Sequence, residues 1–493
     1  MNTAYQQLRS IFARISRFNH LSAIAHWDMQ TMMSHEGSQA RSEALAEIDV
    51  LCHQLLCDPK VGVLLESASK ETLEGADEAN LTEMRNTYRR AVVLPDALIE
   101  ARSLATGKCG FAWRTQRPAN DWVGFASNLH EVVKLTREEA KIRAEATGVS
   151  RYDALLDLYE PGMRSEELDR IFGDLKTWLP DLLRRVVAKQ APNPPLPLQG
   201  PFDPGKQREL ALKVMRILGF NFSAGRLDSS AHPFSGGVPQ DVRITTRYDE
   251  TSFMPALFAT IHETGHGRYE QNLPQAWRDQ PAGLARSMGI HESQSLMFEM
   301  QVARSTPFLQ MLHPLVVTAF GQSPALTEAN FIALAQRARP GLIRVDADEI
   351  SYPLHVILRY EIEKALIEGQ IEVDDIPALW NQKMQDYLGI GTEGNYQNGC
   401  MQDIHWTQGA FGYFPTYTLG AMYAAQLFQA ALRALPSLNG EISEENLQGL
   451  SGWLEENIWS KGSLHRTDKL MTDATGEALN TKHFRAHLER RYL

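Results

Sequence analysis

Apolar residues recur at steps of three and four along most of this chain, which is the spacing of one face of an α-helix. The first such segment, residues 4–26, carries Tyr5, Leu8, Phe12, Ile15, Phe18 and Leu21. The same spacing returns in four further segments, near 38–57, 80–107, 120–147 and 165–190. These segments are rich in Ala, Leu, Glu and Arg, which favour helix. The pattern predicts a chain built mainly of amphipathic helices.

Two interruptions break this pattern near the middle of the chain. Residues 190–205 contain six prolines, which cannot continue a helix and favour an extended connector. Residues 241–249 alternate Val242, Ile244, Thr246 and Tyr248 with polar positions, as a half-buried β-strand does. Helical spacing then resumes almost to the C-terminus. The predicted fold class is therefore mostly α, with one small β element.

Composition narrows the classes of protein that the chain could represent. It has 493 residues, with 49 Lys and Arg against 60 Asp and Glu, a net charge of −11. An acidic balance argues against nucleic acid as a partner. No apolar run is long enough to cross a membrane, and no secretory signal begins the chain. Its four cysteines form no disulfide framework, and we therefore expect a cytoplasmic protein.

The most specific chemical motif is H-E-x-x-H, formed by His262, Glu263 and His266 in a helical segment. Histidines four residues apart lie one turn apart on the same face, so both can direct a nitrogen at one metal ion. Glu263 is rotated by about 100° from that face, which lets it reach a water at the metal as general base. The motif predicts a catalytic metal site with zinc-type chemistry.

A catalytic zinc usually has three protein ligands and a water, so a third ligand is needed. Glu292, early in the next predicted helix, is the first candidate. His291 is its neighbour and competitor, and Glu299 lies seven residues further on the same face. The spacing of these residues does not decide among the three.

Two further clusters carry polar side chains that could serve a site. The first cluster lies at helical steps on one face and consists of Tyr352, His355, Arg359 and Glu363. If it serves no site, an ion pair from Arg359 to Glu363 along the helix would explain it. Residues 399–417 interleave glycines with Tyr and Trp. That pattern is typical either of a mobile loop that contacts a ligand or of a packed aromatic turn.

Ordered motifs along almost the whole chain resemble the carboxypeptidase Taq family of zinc metallocarboxypeptidases. They are Trp27-Asp28-x-x-Thr31, His232-Pro233-Phe234, Asp241-x-Arg243-x-Thr245, His262-Glu263-x-x-His266, His291-Glu292-x-Gln294, Ile343-Arg344-x-x-Ala347-Asp348, Tyr352-x-x-His355-x-x-x-Arg359 and Gly399-x-x-Gln402-Asp403-x-His405-Trp406. The tail from Ala474 to Leu493 also matches. Ser34 departs from the family, which tends to have proline there.

The resemblance implies an all-helical, neurolysin-like fold with a long substrate cleft and a short β ribbon along its wall. It implies that residues 1–493 form one catalytic unit with two lobes. These lobes are N-terminal helices over about 1–190 and a metal-site half over 207–493, joined by a proline-rich connector at 191–206. It further implies a homodimer that removes single residues from the free C-termini of peptides with broad specificity. Among the three candidates it indicates Glu292 as the third metal ligand.

Roles for the remaining residues follow from this activity. Zinc is the expected ion, with cobalt or manganese as substitutes, and Glu263 would transfer a proton from water to the leaving amine. His405 and Tyr413 are the expected donors to the oxyanion. An arginine is expected to bind the free carboxylate of the substrate, and the candidates in order of preference are Arg344, Arg359 and Arg243. Tyr352 and His355 complete the expected substrate-binding residues.

Three expectations complete the hypothesis. Asp348 or Asp403 is expected to orient a ligand histidine. A metallo-oligopeptidase that cuts internally in short peptides would use the same metal site, and a peptide with an amidated C-terminus would distinguish it. A catalytically silent peptide-binding protein is the alternative from another class, against which the intact His262, Glu263, His266 and Glu292 set argues.

Overall fold

The computed structural model describes residues 3–493, and helices account for most of this range. The first half contains α1 (Ala4–Thr31), α2 (Ser38–Cys57), α3 (Pro59–Ala68), α4 (Ala76–Val92), α5 (Asp96–Gln116), α6 (Trp122–Thr147), α7 (Arg151–Leu156) and α8 (Ser165–Gln190). The middle contains α9 (Pro204–Ile217), β1 (Gly225–Ser229), β2 (Phe234–Val238), β3 (Asp241–Thr246) and α10 (Met254–Gln271).

All the remaining regular elements of the described chain are helices. They include α11 (Met288–Leu296), a π-helical segment (Met297–Ala303), α12 (Thr306–Phe320), α13 (Glu328–Ala335), α14 (Tyr352–Glu368), α15 (Ile376–Leu388), α16 (Pro415–Ala434), α17 (Leu438–Ser443), α18 (Gln448–Asn457), α19 (Thr467–Thr475) and α20 (Thr481–Tyr492). The mostly helical fold class with a small β element is confirmed. No helix among the described residues is both long and apolar enough to cross a membrane.

The N-terminal helices show how far the apolar spacing predicts burial. Thr3 and Gln6 form a capping box that starts α1, and the first four positions of the predicted face, Tyr5 to Ile15, are buried. Leu21, at the end of that face, is 55% exposed. The segment predicted near 80–107 is two helices, α4 and α5, because Pro95 ends the pattern between them.

The proline-rich connector lies against the second half of the chain. Leu196 exchanges two hydrogen bonds with Asn330, and Phe202 packs edge to face on Phe253 and Phe320. Asp203 then caps α9 by accepting from the amide of Lys206. One hydrophobic core contains buried residues from Cys109 to Tyr492. Buried residues between Tyr5 and Met84 form a separate cluster of the N-terminal helices. The single catalytic unit over 1–493 stays a prediction.

The β element is a three-stranded sheet in the order β1-β3-β2. The predicted strand at 241–249 corresponds to β3, which pairs parallel to β1 and antiparallel to β2 and ends at Thr246. Strands β1 and β2 carry no alternating apolar pattern, and Gly236 and Gly237 weaken the signal of β2. Val242 and Ile244 are buried against α9, and this packing places the sheet beside α10.

The C-terminal helix is tied to the core by a buried charge cluster. Glu349, which is fully buried, accepts hydrogen bonds from Arg491 at 2.9 Å, from Tyr492 at 3.1 Å and from His487. Arg491 also donates to the carbonyl of Met300 in the π-helical segment. Burial raises the pKa of Glu349, but Arg491 and His487 outweigh burial and lower that pKa to about 2.

We predict that Glu349→Gln lowers the free energy of unfolding by about 3–5 kcal/mol, because it leaves a buried arginine without its counter-charge. The folded-state pKa lies below the unfolded value of 4.5, so Glu349 stabilises above about pH 4.5. That contribution is lost as pH falls toward 2. Urea unfolding at pH 7 and pH 3 measures both effects. The matched control is Glu489→Gln on the exposed face of α20; an equal loss there would contradict the prediction.

Candidate metal centre and active site

The H-E-x-x-H motif lies in the second half of α10, whose first half is apolar and buried at Leu257, Phe258 and Ile261. His262 and His266 lie one turn apart, with ring centroids 4.9 Å from each other. A β-carbon on Gly265 would come within 2.6 Å of the α-carbon of Ser295 in α11. Glycine is therefore required here, since it lets the backbones of α10 and α11 touch.

This contact brings the three predicted ligands together. The carboxylate of Glu292 in α11 lies 3.7 Å from Nε2 of His262 and 3.4 Å from Nε2 of His266. One donor atom from each residue lies within 4.8 Å of the other two. Two imidazole nitrogens and one carboxylate around a single point are a donor set that fits a catalytic divalent metal with an open position.

Other side chains occupy the second nitrogen of each histidine. Glu299 in the π-helical segment lies 2.9 Å from Nδ1 of His262 and also pairs with Arg304 at 3.1 Å. Nδ1 of His291 lies 2.6 Å from Nδ1 of His266. The carboxylate of Glu299 accepts a hydrogen bond from Nδ1 of His262. Nε2 of His291 lies 2.8 Å from the carboxylate of Glu270, which favours the proton of His291 on Nε2 and leaves its Nδ1 to accept from Nδ1 of His266. This arrangement leaves Nε2 of both ligand histidines to a metal. Glu299 and His291, the alternative ligands, thus contact the Nδ1 atoms, whereas Glu292 lies near the Nε2 atoms.

The expectation that Asp348 or Asp403 orients a ligand histidine is wrong. Asp348 accepts from the amides of Ile350 and Ser351 at the start of α14. Asp403 pairs with two arginines instead. Asp348 is thus occupied by backbone amides close to it in sequence, and Asp403 by the charges of the two arginines.

Burial and neighbouring charges set the protonation of the cluster. Burial lowers the pKa of His266 to about 4, so its ring is neutral at pH 7. Burial also acts to lower the pKa of His262, but the carboxylates of Glu292 and Glu299 raise it to about 10. Burial raises the pKa of Glu263 to about 7. Glu263 forms no hydrogen bond with any described residue, so its carboxyl group is available to a water or a substrate.

A second group of predicted residues centres on Asp403. Its carboxylate accepts from Nε of Arg344 at 2.9 Å and from Nε of Arg359 at 2.7 Å. Arg344 also donates to the hydroxyl of Tyr352 at 2.9 Å, and Arg359 donates to the carbonyl of His355. Four of the five predicted substrate-binding residues are therefore brought together.

The fifth, Arg243, lies on β3, where it pairs with Asp241 at 2.7 Å and packs over the ring of Trp27. No contact among the described residues joins Arg243 to Arg344 or Arg359. The structure therefore separates Arg243 from the other predicted anchors.

The predicted ion pair from Arg359 to Glu363 is wrong. Glu363 is fully buried and accepts from Trp406 Nε1 at 3.0 Å, from the amide of Gly412 at 3.2 Å and from the hydroxyl of Tyr152 at 2.7 Å. These bonds hold the segment between His405 and Gly412 against α14. Of the two interpretations of residues 399–417, the structure shows the packed aromatic turn.

His405 and Tyr413, the predicted oxyanion donors, lie on this turn with ring centroids 5.4 Å apart. Nε2 of His405 lies 3.1 Å from the hydroxyl of Tyr417. Burial lowers the pKa of His405 to about 4, so the ring is neutral at pH 7. Burial raises the pKa of Tyr413 and Tyr417, and the charge of Glu292 adds to both shifts. The two tyrosines are thus within electrostatic reach of the ligand cluster.

Sequence reasoning assigned no role to Tyr417 or Gly420. A β-carbon on Gly420 in α16 would lie 2.6 Å from Cγ of Glu292, so this glycine lets α16 lie directly on α11. Tyr417 is carried to the site on the preceding turn of the same helix. The spacing of Tyr413, Tyr417 and Gly420 at steps of three and four was a usable signal.

A helical fold with two histidines and a glutamate around one point and an unpaired glutamate beside them defines a metallopeptidase. The chain belongs to the carboxypeptidase Taq (M32) family of metallopeptidases, whose model matches residues 7–492. It is 38% identical to thermostable carboxypeptidase 1 of Thermus thermophilus, over 99% of this chain and 98% of the relative.

Solved structures agree with this assignment. Metallocarboxypeptidase 1 of Trypanosoma cruzi is 46% identical, with a TM-score of 0.97 and 99% of each chain covered. An M32 carboxypeptidase of Deinococcus radiodurans is 30% identical, with a TM-score of 0.95 over 100% of this chain and 99% of that one. The chain is therefore a metallocarboxypeptidase, and a divalent metal belongs to its activity. The predicted family and reaction class are confirmed over the two alternatives.

We predict that Gly420→Ala weakens metal binding about tenfold or more, because the new methyl group displaces Glu292 by a sub-ångström distance. Metal analysis after equilibrium dialysis measures the affinity without reference to activity. The control is Gly173→Ala in α8, where a β-carbon meets nothing within 4 Å. That change should raise stability by about 0.5–1 kcal/mol and leave metal content unchanged. Equal metal affinity in both variants would refute the proposed contact.

Proposed function

We propose that this protein is a zinc-dependent carboxypeptidase of broad specificity, which releases single residues from peptides with a free C-terminal carboxylate. The observation that supports it most is the convergence of Nε2 of His262 and His266 on the carboxylate of Glu292. Two nitrogens and one oxygen suit zinc, and cobalt or manganese could use the same ligands. A bound metal would polarise the scissile carbonyl and lower the pKa of a water.

Glu263 is proposed as the general base and acid. Its carboxyl group is buried beside the ligand cluster and has no hydrogen-bond partner among the described residues. It can therefore accept the proton of a water held at the centre and donate it to the leaving amine. The other buried carboxylates near the metal ligands, Glu292 and Glu299, are each occupied by histidines.

His405 and Tyr413 are proposed as donors to the tetrahedral oxyanion. Burial keeps His405 neutral, so one of its two ring nitrogens carries a proton. The hydroxyl of Tyr417 lies 3.1 Å from Nε2 of His405 and fixes the orientation of the ring. The hydrogen bonds that Glu363 accepts from Trp406 and Gly412 hold the turn that carries both donors before the substrate arrives.

Arg344 is proposed as the anchor for the substrate carboxylate, together with Tyr352. Arg359 is fully buried and uses both Nε and Nη2 on Asp403, so its role is to hold that aspartate. His355, equally buried, supports Arg359 through its carbonyl. Arg344 keeps Nη1 on the hydroxyl of Tyr352, a neutral partner that a carboxylate can replace. Arg243, on β3, is the third candidate.

The family resemblance further supports a homodimer in the cytoplasm. A particle mass in light scattering of twice 55.4 kDa would support the dimer, and a mass of 55.4 kDa would refute it.

We predict that Glu263→Gln reduces kcat by about 10²–10⁴-fold while metal content stays at the wild-type level. The amide keeps the shape of the side chain but cannot accept the water proton. Release of C-terminal residues, followed by mass spectrometry as a ladder, measures turnover, and metal analysis measures occupancy. Wild-type turnover in this variant would exclude Glu263 as the base.

We predict that Arg344→Ala reduces kcat/KM on peptides with a free C-terminus by about 100-fold, since a charge-assisted pair with the carboxylate is lost. Metal content should not change. The same variant should barely alter the low activity on C-terminally amidated peptides, which offer no carboxylate. Arg243→Ala is the matched control; a larger loss in that variant would transfer the anchor to Arg243.

A further inference from the structure

A cavity of about 170 Å³ lies away from the metal ligands, where the last turns of α4 and α6 meet α7 and the segment that follows it. The cavity is lined by four arginines, Arg89, Arg90, Arg143 and Arg164, and we name it the arginine cavity. The only acidic side chain in its wall is Asp157. This concentration of cations is unusual in a chain with a net charge of −11.

The hydrogen bonds in the wall leave most guanidinium donors of two arginines unused. Asp157 accepts from Nη2 of Arg90 at 3.1 Å and from Nη1 of Arg164 at 3.5 Å. Nε and Nη1 of Arg90 form no bond with any described residue, and neither do Nε and Nη2 of Arg164. Arg89 is exposed and forms no hydrogen bond or ion pair with any described residue.

The charges of the wall do not cancel. Arg143 pairs with buried Glu139 at 2.7 Å, but Glu139 also pairs with Arg102, which balances it. Asp157 neutralises one of the four lining arginines. The C-terminal ends of α4 and α6 together contribute about one further negative charge. About two positive charges remain in the wall of this small space, together with N–H groups that form no bond with any described residue.

We propose that the arginine cavity binds a compact dianion of the phosphate type, either inorganic phosphate or the phosphoryl group of a small molecule. Guanidinium groups match phosphate oxygens through paired N–H donors, and phosphate carries close to two negative charges at neutral pH. The volume is smaller than the roughly 300 Å³ at which pockets for drug-sized ligands begin, which favours a small anion.

Calorimetric titration of the holoenzyme with inorganic phosphate, at an ionic strength held constant with sodium chloride, tests the proposal. We expect saturable binding by the wild type. The double variant Arg89→Ala/Arg164→Ala should bind about tenfold more weakly or worse, because two charge-assisted contacts are lost. Arg85→Ala, an exposed arginine one turn before Arg89 on α4, should stay within about twofold of wild type.

Two results would overturn the proposal: no saturable binding by the wild type, or equal binding by the wild type and the double variant. Equal binding by the two proteins is also the result expected if phosphate binds only at the metal centre. A parallel titration with glycerol 2-phosphate distinguishes the sources, since tighter binding of the ester indicates a phosphorylated small molecule. Should the double variant fail to fold, the single Arg89→Ala variant, at an exposed side chain without partners, replaces it with the same two outcomes.

Discussion

The metal centre depends on two places where helix backbones touch. At Gly265 the absence of a side chain lets α10 lie on α11, and at Gly420 it lets α16 lie on the side chain of Glu292. Because protein interiors are close-packed, a single methyl group at either position would push a metal ligand away from the other two. These contacts also carry Tyr417 to the site, since α16 starts just before it. Residues far apart in sequence thus share one small volume.

Buried ion pairs fix the positions of the elements around the metal centre. Glu299 bridges His262 and Arg304, Asp403 bridges two arginines, and Glu349 bridges the C-terminal helix to the core. Such pairs add little net stability over apolar packing, but removing one partner is costly, so each strongly restricts alternative arrangements. Arg491 extends this restriction to the π-helical segment that carries Glu299. Glu263 is the buried carboxyl near the metal ligands without a hydrogen-bond partner, which is what transfer of a proton requires.

Positive charge is concentrated at two places in the structure, although the chain as a whole is acidic. Asp403 balances one of the two arginines that pair with it, and the arginine cavity also keeps an excess of positive charge. The segment after α7 connects the arginine cavity to the helix that carries Glu292: Asp157 lines the cavity, and the carbonyl of Tyr159 accepts from the amide of Met288 at the start of α11. A net charge taken from composition averages over such differences, so it locates no site.

Local regularities determined what the sequence could predict. Helical spacing placed α2, α6 and α8, and the four-residue step of His262 and His266 predicted two ligands, because both patterns depend only on neighbouring turns. Resemblance to the family was needed for Glu292. The tertiary structure alone decided the partners of charged groups. The four-residue step from Arg359 to Glu363 predicted an ion pair. In the structure Arg359 pairs with Asp403, and Glu363 accepts a hydrogen bond from Trp406. A buried charge pairs with whichever partner the packing places nearest. Spacing along one helix carries no information about helices that pack against it.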